Sequence, residues 1–365
     1  MNPAGVMRLG LLLLGSSVAS AAVTHVEIQR REPYADGLEF PGVGPYERWV
    51  GKVHFALDPQ SRANLSVVDL SLAPRNDRGE VEFSADLEIL APADPSRSNG
   101  TLLYDVNASG DRQCLDLFNA GADHFLMRRG YVVCWSGWIG ETLPGGGRLL
   151  MDAPIAQRGV TPIVGMVRAE MSTDIPVSKM NVANRAAVGS PPPTLSGRKQ
   201  ATLTWRLREQ DQRVLVPREQ WRLDDEYVEA DGRRSLLPKV ELTLSGGFQP
   251  GYLYELIYEA RHPIVQGCGL AGIRDLVSFL KRDSTPRNPW RIDSGEPIVQ
   301  RALGFGFSQG GRGLRTLLRE GFNADEAGRK VFDGMAPLAA GAGVGSFNHR
   351  FASPSRQASQ HVGHL

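Results

Sequence analysis

Residues Gly306-Phe307-Ser308-Gln309-Gly310 read G-x-S-x-G, and the segments on either side leave a chain carrying them few ways to fold. Before the serine, Ala302, Leu303, Phe305 and Phe307 make a short apolar run punctuated by glycines, the pattern of a buried strand. After it, Leu314, Leu317 and Leu318 recur at helical spacing until Gly321, a residue suited to the left-handed position beyond a helix end. A strand that passes directly into a helix must turn sharply at Ser308. Glycines are needed beside such a turn because a Cβ would collide with the neighbouring strand or helix. The expectation is a nucleophile elbow with Ser308 at its apex. The competing expectation is a glycine-rich turn that happens to hold a serine, since the chain has 41 glycines.

The rest of the chain supplies strands and helices in an order that predicts an α/β architecture. Val81, Phe83, Ala85, Leu87 and Ile89 alternate with polar residues, as in a half-buried strand of an antiparallel sheet, and Val53, Phe55 and Leu57 repeat the pattern. The first hundred residues therefore read as mostly β. Leu102-Leu103-Tyr104-Asp105-Val106 and Tyr131-Val132-Val133-Cys134-Trp135 are compact apolar runs around a helix expected near residues 123–129, as for parallel strands joined by a crossover. Leu270, Ile273, Leu276, Val277 and Leu280 place one stripe on a further helix, ended by residues 283–288. This order predicts a mostly parallel sheet with helices on both faces. Residues 153–258 interrupt it: Leu203, Trp205 and Leu207, then Val240, Leu242 and Leu244, alternate like antiparallel strands and predict an inserted β-rich subdomain. That insert either shapes a pocket over the sheet or is peripheral packing, and Tyr252, Tyr254 and Tyr258 fit strand packing better than a sugar platform.

Charge and cysteine content exclude several classes. Lys and Arg total 41 against 40 Asp and Glu, so no basic excess points to nucleic acid. Cys114, Cys134 and Cys268 show no C-x-x-C and no histidines at ligand spacing, so neither a metal nor another cofactor is expected. Cys134, inside an apolar run, reads as a buried small hydrophobe. At the N-terminus, Arg8 precedes Leu11-Leu12-Leu13-Leu14, and Ala19-Ser20-Ala21 offers a signal-peptidase pattern with cleavage before Ala22. The apolar run is too short to span a bilayer, so residues 1–21 are expected to be a signal peptide and residues 22–365 an exported, periplasmic or secreted domain without a transmembrane segment.

The chemistry expected of an elbow follows from the weakness of a serine hydroxyl as a nucleophile at neutral pH. It needs a general base within hydrogen-bond reach and donors aimed at the oxyanion of a tetrahedral intermediate. The backbone N–H of Gln309, the residue after the nucleophile, supplies one donor by geometry. For the second, Asn107-Ala108-Ser109-Gly110 follows an apolar strand directly and nominates the Ala108 N–H, with an ordinary turn as the alternative.

Three stretches together resemble the exported bacterial alpha/beta hydrolase domain family: Phe125-Leu126-Met127-Arg128-Arg129-Gly130-Tyr131-Val132-Val133-Cys134-Trp135-Ser136-Gly137-Trp138, Gly269-Leu270-Ala271-Gly272-Ile273-Arg274-Asp275-Leu276-Val277-Ser278-Phe279-Leu280, and Gly304-Phe305-Gly306-Phe307-Ser308-Gln309-Gly310-Gly311-Arg312. The resemblance covers nearly the whole predicted mature chain and implies an α/β-hydrolase fold with Ser308 as nucleophile, without naming a substrate. Such hydrolases order their triad Ser, then Asp or Glu, then His. The family's members continue beyond the point corresponding to Leu365, so the last strands are expected to be missing. Within the stretch after Ser308, Asp333 bordering residues 331–338 is the acid candidate, with Asp325 behind it, and His349 is the base candidate ahead of His361 and His364. Asn323, with Glu326 three residues on, predicts a short capped helix, and His124 beside Asp123 reads as a surface or capping residue. Two functions of different class follow: a serine hydrolase acting on a small-molecule carboxylic ester or related acyl substrate, or a non-catalytic binding protein that keeps the scaffold without its base.

Overall fold

The computed structural model describes residues 22–119, 123–341, 343 and 345–355. The expected leader and the histidines at positions 361 and 364 lie outside them. Seven strands form the spine of the main sheet: β1 (Val23–Pro33), β2 (Gly44–Leu57), β3 (Val81–Pro92), β4 (Thr101–Asp105), β5 (Val132–Ser136), β6 (Arg301–Phe307) and β7 (Gly334–Leu338). Their order is β1-β2-β3-β5-β4-β6-β7, with the two-residue strands Glu39–Phe40 and Met151–Asp152 pairing on its flank. The pairs from β1 to β5 are antiparallel, and those linking β5, β4, β6 and β7 are parallel. Among the described residues, five α-helices accompany the strands: α1 (Cys114–Phe118), α2 (Phe125–Arg128), α3 (Leu195–Gln200), α4 (Cys268–Arg282) and α5 (Gln309–Arg319).

Period-2 alternation decides which side chains meet which layer. On one face, Phe55 and Phe83 stack with ring centroids 4.6 Å apart, and Leu102, Tyr104, Val132 and Cys134 continue the same surface toward the parallel strands. Helices α4 and α5 both cover this face, through Leu270, Ile273, Leu276, Val277 and Leu280 of α4 and Leu314 and Leu317 of α5. Each such aliphatic side chain contributes roughly 1.5–3 kcal/mol on burial. The apolar stripe read for α4 is therefore its contact surface with the sheet.

The opposite face corrects the expected fold class. Leu103, Val133, Trp135 and Phe305 point there, covered by α1 and α2, helices of only five and four residues. A cavity of about 310 Å³ remains open between Phe118, Phe125 and the floor formed by Leu103, Leu303 and Met335. The described residues are mostly β, with 39% in strands and 16% in helices, and several of the sheets are antiparallel. It is not a helix-rich α/β-hydrolase fold with helices on both faces. The physical reason lies in the connections: the described residues of the β4–β5 crossover form turns and two single-turn helices, and the long connection from β5 to α4 folds as β-structure of its own.

That connection is a two-sheet sandwich. One sheet has the order Val164–Met171, Leu253–Arg261, Thr202–Arg206, Val214–Leu215, and the other Val177–Asn181, Lys239–Phe248, Trp221–Glu226. Leu203, Leu242, Leu256 and Tyr258 are fully buried in a core separate from that of the main sheet. Tyr252 packs edge-on against Trp205 at 4.8 Å, and Tyr254 lies beneath Phe248, so the tyrosines serve strand packing. Arg233 crosses back to the main sheet and pairs with Asp86 and Asp152.

One smaller expectation also changes. Asn323 caps no helix: its side chain pairs with the Phe332 backbone through both polar atoms, and Asp325 closes a tight turn by accepting from Ala327 and Arg329. The three cysteines are all free and buried. Among the described residues, no helix is long and apolar enough to cross a membrane.

Candidate functional site

Ser308 sits where β6 ends and α5 begins, with φ 52° and ψ −107°. A non-glycine residue adopts that conformation only when its surroundings over-determine it. Here the Ser308 N–H donates to the Leu338 carbonyl at 2.9 Å, and the Ser308 carbonyl accepts from the Arg312 N–H at 3.0 Å. The strand edge and the first helical turn hold it from both sides. The flanking glycines are sterically obligatory. A Cβ on Gly306 would lie 2.5 Å from the Gly310 carbonyl group, one on Gly310 would lie 1.8 Å from the Val106 oxygen, and one on Gly311 would lie 2.8 Å from the Gly306 oxygen. The elbow expected from the sequence is the geometry observed.

The loop after β4 packs against the start of α5. Asn107 donates to the Ser136 carbonyl at 2.7 Å and accepts from the Gly110 N–H at 2.9 Å, while the buried Trp138 indole donates to the Asn107 carbonyl at 2.9 Å. Trp138 also lies under Gly313, where a Cβ would meet the ring at 2.4 Å, and stacks on Phe347. Next in the loop, Ser109 adopts φ 50°, and its hydroxyl donates to Gln309 Oε1 at 3.0 Å. Ser355 joins them, accepting from Gln309 Nε2 at 2.8 Å and donating its own N–H to the buried Glu141 carboxylate at 2.7 Å. Ser109, Ser355 and Glu141 carried no signal in the sequence; only the position of Ser109 in the turn after a strand pointed toward it.

The residues proposed from sequence separate into two groups. Gln309 follows Ser308 as the first residue of α5, so its backbone N–H stands at the positive end of an eleven-residue helix. Ala108 is placed in the correct loop but its N–H is already used, donating to the Asp111 carbonyl at 3.2 Å in a closed bridge. It is not an oxyanion donor in this structure.

Asp333 lies at the wrong end of the sheet. Its N–H donates to the Ala302 carbonyl, at the start of β6, six residues before Ser308 and thus roughly 20 Å away along an extended strand. Burial alone would raise its pKa, but hydrogen bonds from Lys281, the Ala302 N–H and Lys330 outweigh burial and bring it down to about 2. A depressed carboxylate pKa stabilises the folded state above the unfolded value near 4, and that contribution is lost as pH falls toward 2. Asp333→Asn is expected to cost up to about 2 kcal/mol at neutral pH in urea unfolding, with the deficit vanishing near pH 2 and Ser308 reactivity unchanged. A change in Ser308 reactivity without loss of stability would contradict this structural role.

His349 does not hydrogen-bond to Ser308. Its neighbours fix the segment elsewhere: Asn348 accepts from the Val68 N–H and donates to the Ser66 carbonyl and Glu320, and Arg350 pairs with Asp69. His349 Nδ1 is buried and has no hydrogen-bond partner among the described residues. Asp325 is engaged with Ser278 and Arg329, and His124 packs against Phe40 and Tyr34 beyond the other face of the sheet. No histidine among the described residues hydrogen-bonds to Ser308, and none of them holds three His, Cys, Asp or Glu side chains placed to bind a metal. Arg312, one turn past the serine, is 7% exposed; burial and the nearby Arg185 guanidinium hold its pKa below the usual arginine value.

No protein-family model, curated protein or solved structure matches this chain.

Proposed function

We propose that the protein is a serine hydrolase that cleaves a carboxylic ester or related acyl bond through an acyl-enzyme on Ser308. The observation that carries this reading is the backbone at Ser308, strained at φ 52° and ψ −107° between glycines that no other residue can replace. Strain of this kind costs of order 1–3 kcal/mol and is concentrated at functional sites. In the reaction, Ser308 Oγ bonds to the acyl carbon, its proton passes to a base, and the carbonyl π electrons move onto oxygen. The resulting oxyanion meets the Gln309 N–H at the head of α5. Collapse of the intermediate expels the alcohol, which takes the proton, and water repeats the sequence to release the acid. Ser109 is a better second donor than Ala108, because its N–H takes no part in the Ala108–Asp111 bridge and its hydroxyl already contacts Gln309. Each oxyanion donor contributes roughly 3 kcal/mol of transition-state stabilisation.

The test is covalent labelling by a fluorophosphonate together with turnover of p-nitrophenyl butyrate. Wild-type protein is expected to label at one serine, and Ser308→Ala to abolish labelling and lower kcat/KM by at least about a thousandfold. Folded wild-type protein that ignores the probe would falsify this reading. The lack of a described histidine hydrogen-bonded to Ser308 favours a second one, a non-catalytic binding protein, which predicts no ester turnover with folding intact and fails if turnover depends on Ser308.

A further inference from the structure

We infer that Ser355, acting through the side chain of Gln309, is a positioning residue of the Ser308 site: it closes a ring of three hydrogen bonds that holds together the two residues assigned as oxyanion donors, Gln309 and Ser109. This rests on the reading of Ser308 as the nucleophile. The sense of the ring follows from counting hydrogens. Gln309 Nε2 donates to Ser355 Oγ at 2.8 Å, and Ser109 Oγ donates to Gln309 Oε1 at 3.0 Å. The Ser109 hydroxyl has one hydrogen, so at the 3.1 Å contact between the two hydroxyls it accepts and Ser355 Oγ donates. Each hydroxyl gives once and accepts once, and the three bonds run in one direction. Turning the Gln309 amide end for end reverses that direction without breaking the ring. Hydrogen bonds chained in this way polarise and strengthen one another. All three residues are 6% exposed or less, so bulk water does not replace a bond lost from the ring.

The ring joins parts of the chain that have no other reason to keep a fixed spacing. Ser109 belongs to the loop after β4 and Gln309 to the first turn of α5, 200 residues apart. Ser109 also holds φ 50°, a conformation a serine keeps only when its surroundings impose it. Ser355 is fixed from outside the ring: its N–H donates to the buried Glu141 carboxylate at 2.7 Å, and the Glu141 carbonyl accepts from the Gly189 N–H at 2.8 Å. The segment that delivers Ser355 is pinned upstream, where Phe347 stacks on Trp138 and Asn348 bonds to the Val68 N–H and the Ser66 carbonyl. Ser355 therefore transmits a fixed position to Gln309 and Ser109. Oxyanion donors act only when they are held in place before the charge develops, and an error of about 1 Å costs on the order of a hundredfold in rate. A ring that only satisfied buried polar groups would need no link to the residue after Ser308, and this one is built on that residue.

Two variants open the ring and leave both backbone N–H groups in the chain. Ser355→Ala deletes one oxygen, and Gln309→Met keeps the length of the stem while removing the amide. For each, and for the two combined, kcat and KM for p-nitrophenyl butyrate and the rate of fluorophosphonate labelling would be measured on the full chain, with urea unfolding to give the folded fraction. Each single variant is expected to lower kcat and the labelling rate roughly ten- to hundredfold per folded molecule, with KM changed by less than about twofold. The combined variant is expected to be no slower than the slower single one, because either change already opens the ring. Ser355→Ala carries the test alone if Gln309→Met fails to fold. Variants that lose stability yet keep wild-type kcat per folded molecule, or whose effects multiply when combined, would overturn the inference and leave the hydrolase reading standing. Folded wild-type protein that neither labels nor turns over the ester would overturn both, and reduce the ring to a structural tie.

Discussion

Gly310→Ala is expected to destabilise the protein by roughly 3 kcal/mol or more, read as a fall in the urea midpoint, and to abolish fluorophosphonate labelling of Ser308. In an exposed helix the same change would stabilise by up to about 1 kcal/mol, because Ala is the better helix former. The sign reverses here through one contact. The new Cβ would stand 1.8 Å from the Val106 carbonyl oxygen, a backbone atom that no rotamer change can move aside. Val106 cannot retreat freely, because its N–H donates to the Phe305 carbonyl at 2.8 Å and so ties β4 to β6. Either that pairing opens or α5 moves outward. In both cases the Gln309 N–H leaves its position beside Ser308, so stability and reactivity fall together. A Gly310→Ala protein with an unchanged midpoint would show that the strand and helix are not in this contact.

The elbow was legible because each of its requirements lies within a few residues of Ser308: an apolar strand, glycines where a Cβ has no room, and leucines at helical spacing. The alternation of Val81 to Ile89 and the stripe of α4 were legible for the same reason, since periodicity is local. What periodicity does not report is which layer covers a face. Leu103, Val133 and Phe305 alternate correctly for strands buried on both sides, yet helices of five and four residues cover them, and that shortage decided the fold class. Polarity was missed in the same way. Asp333 was correctly placed at the border of a strand, but parallel pairing with β6 puts that border at the end remote from the serine. The contacts of Ser109 with Gln309 and Ser355 bridge separations of 200 and 246 residues, and no local pattern encodes them. Ala108 failed for a smaller reason: Asp111, three residues on, closes the turn and uses its N–H.

Arg274→Met in α4 is expected to cost about 3–5 kcal/mol at pH 8 and measurably less at pH 5. The guanidinium is fully buried and spends its donors on Asp275 at 2.7 and 2.8 Å, the Ala63 carbonyl at 2.8 Å and Asn64 Oδ1 at 2.7 Å. Glu326 lies 3.9 Å away and accepts from the same Asn64. This one side chain therefore ties α4 to two loops and neutralises buried carboxylates. Burial pushes Asp275 upward from 3.8 while Arg274 opposes the rise, and Glu326 is raised from 4.5 by burial and then by the Asp275 charge. A raised carboxyl pKa means that the folded state holds more protons than the unfolded state above about pH 4, so these groups lower stability as pH climbs through that window. Methionine fills the space of the arginine stem but removes the opposing charge. Both carboxyl pKa values then rise further, the window extends toward neutrality, and the deficit grows with pH. Adding Asp275→Asn to Arg274→Met removes one stranded charge and is expected to recover part of the loss at pH 8 but little at pH 5. Urea unfolding at the two pH values checks this. A deficit that does not vary with pH, or one that Asp275→Asn deepens at pH 8, would mean that Arg274 acts by packing and hydrogen bonding rather than by neutralising buried acids.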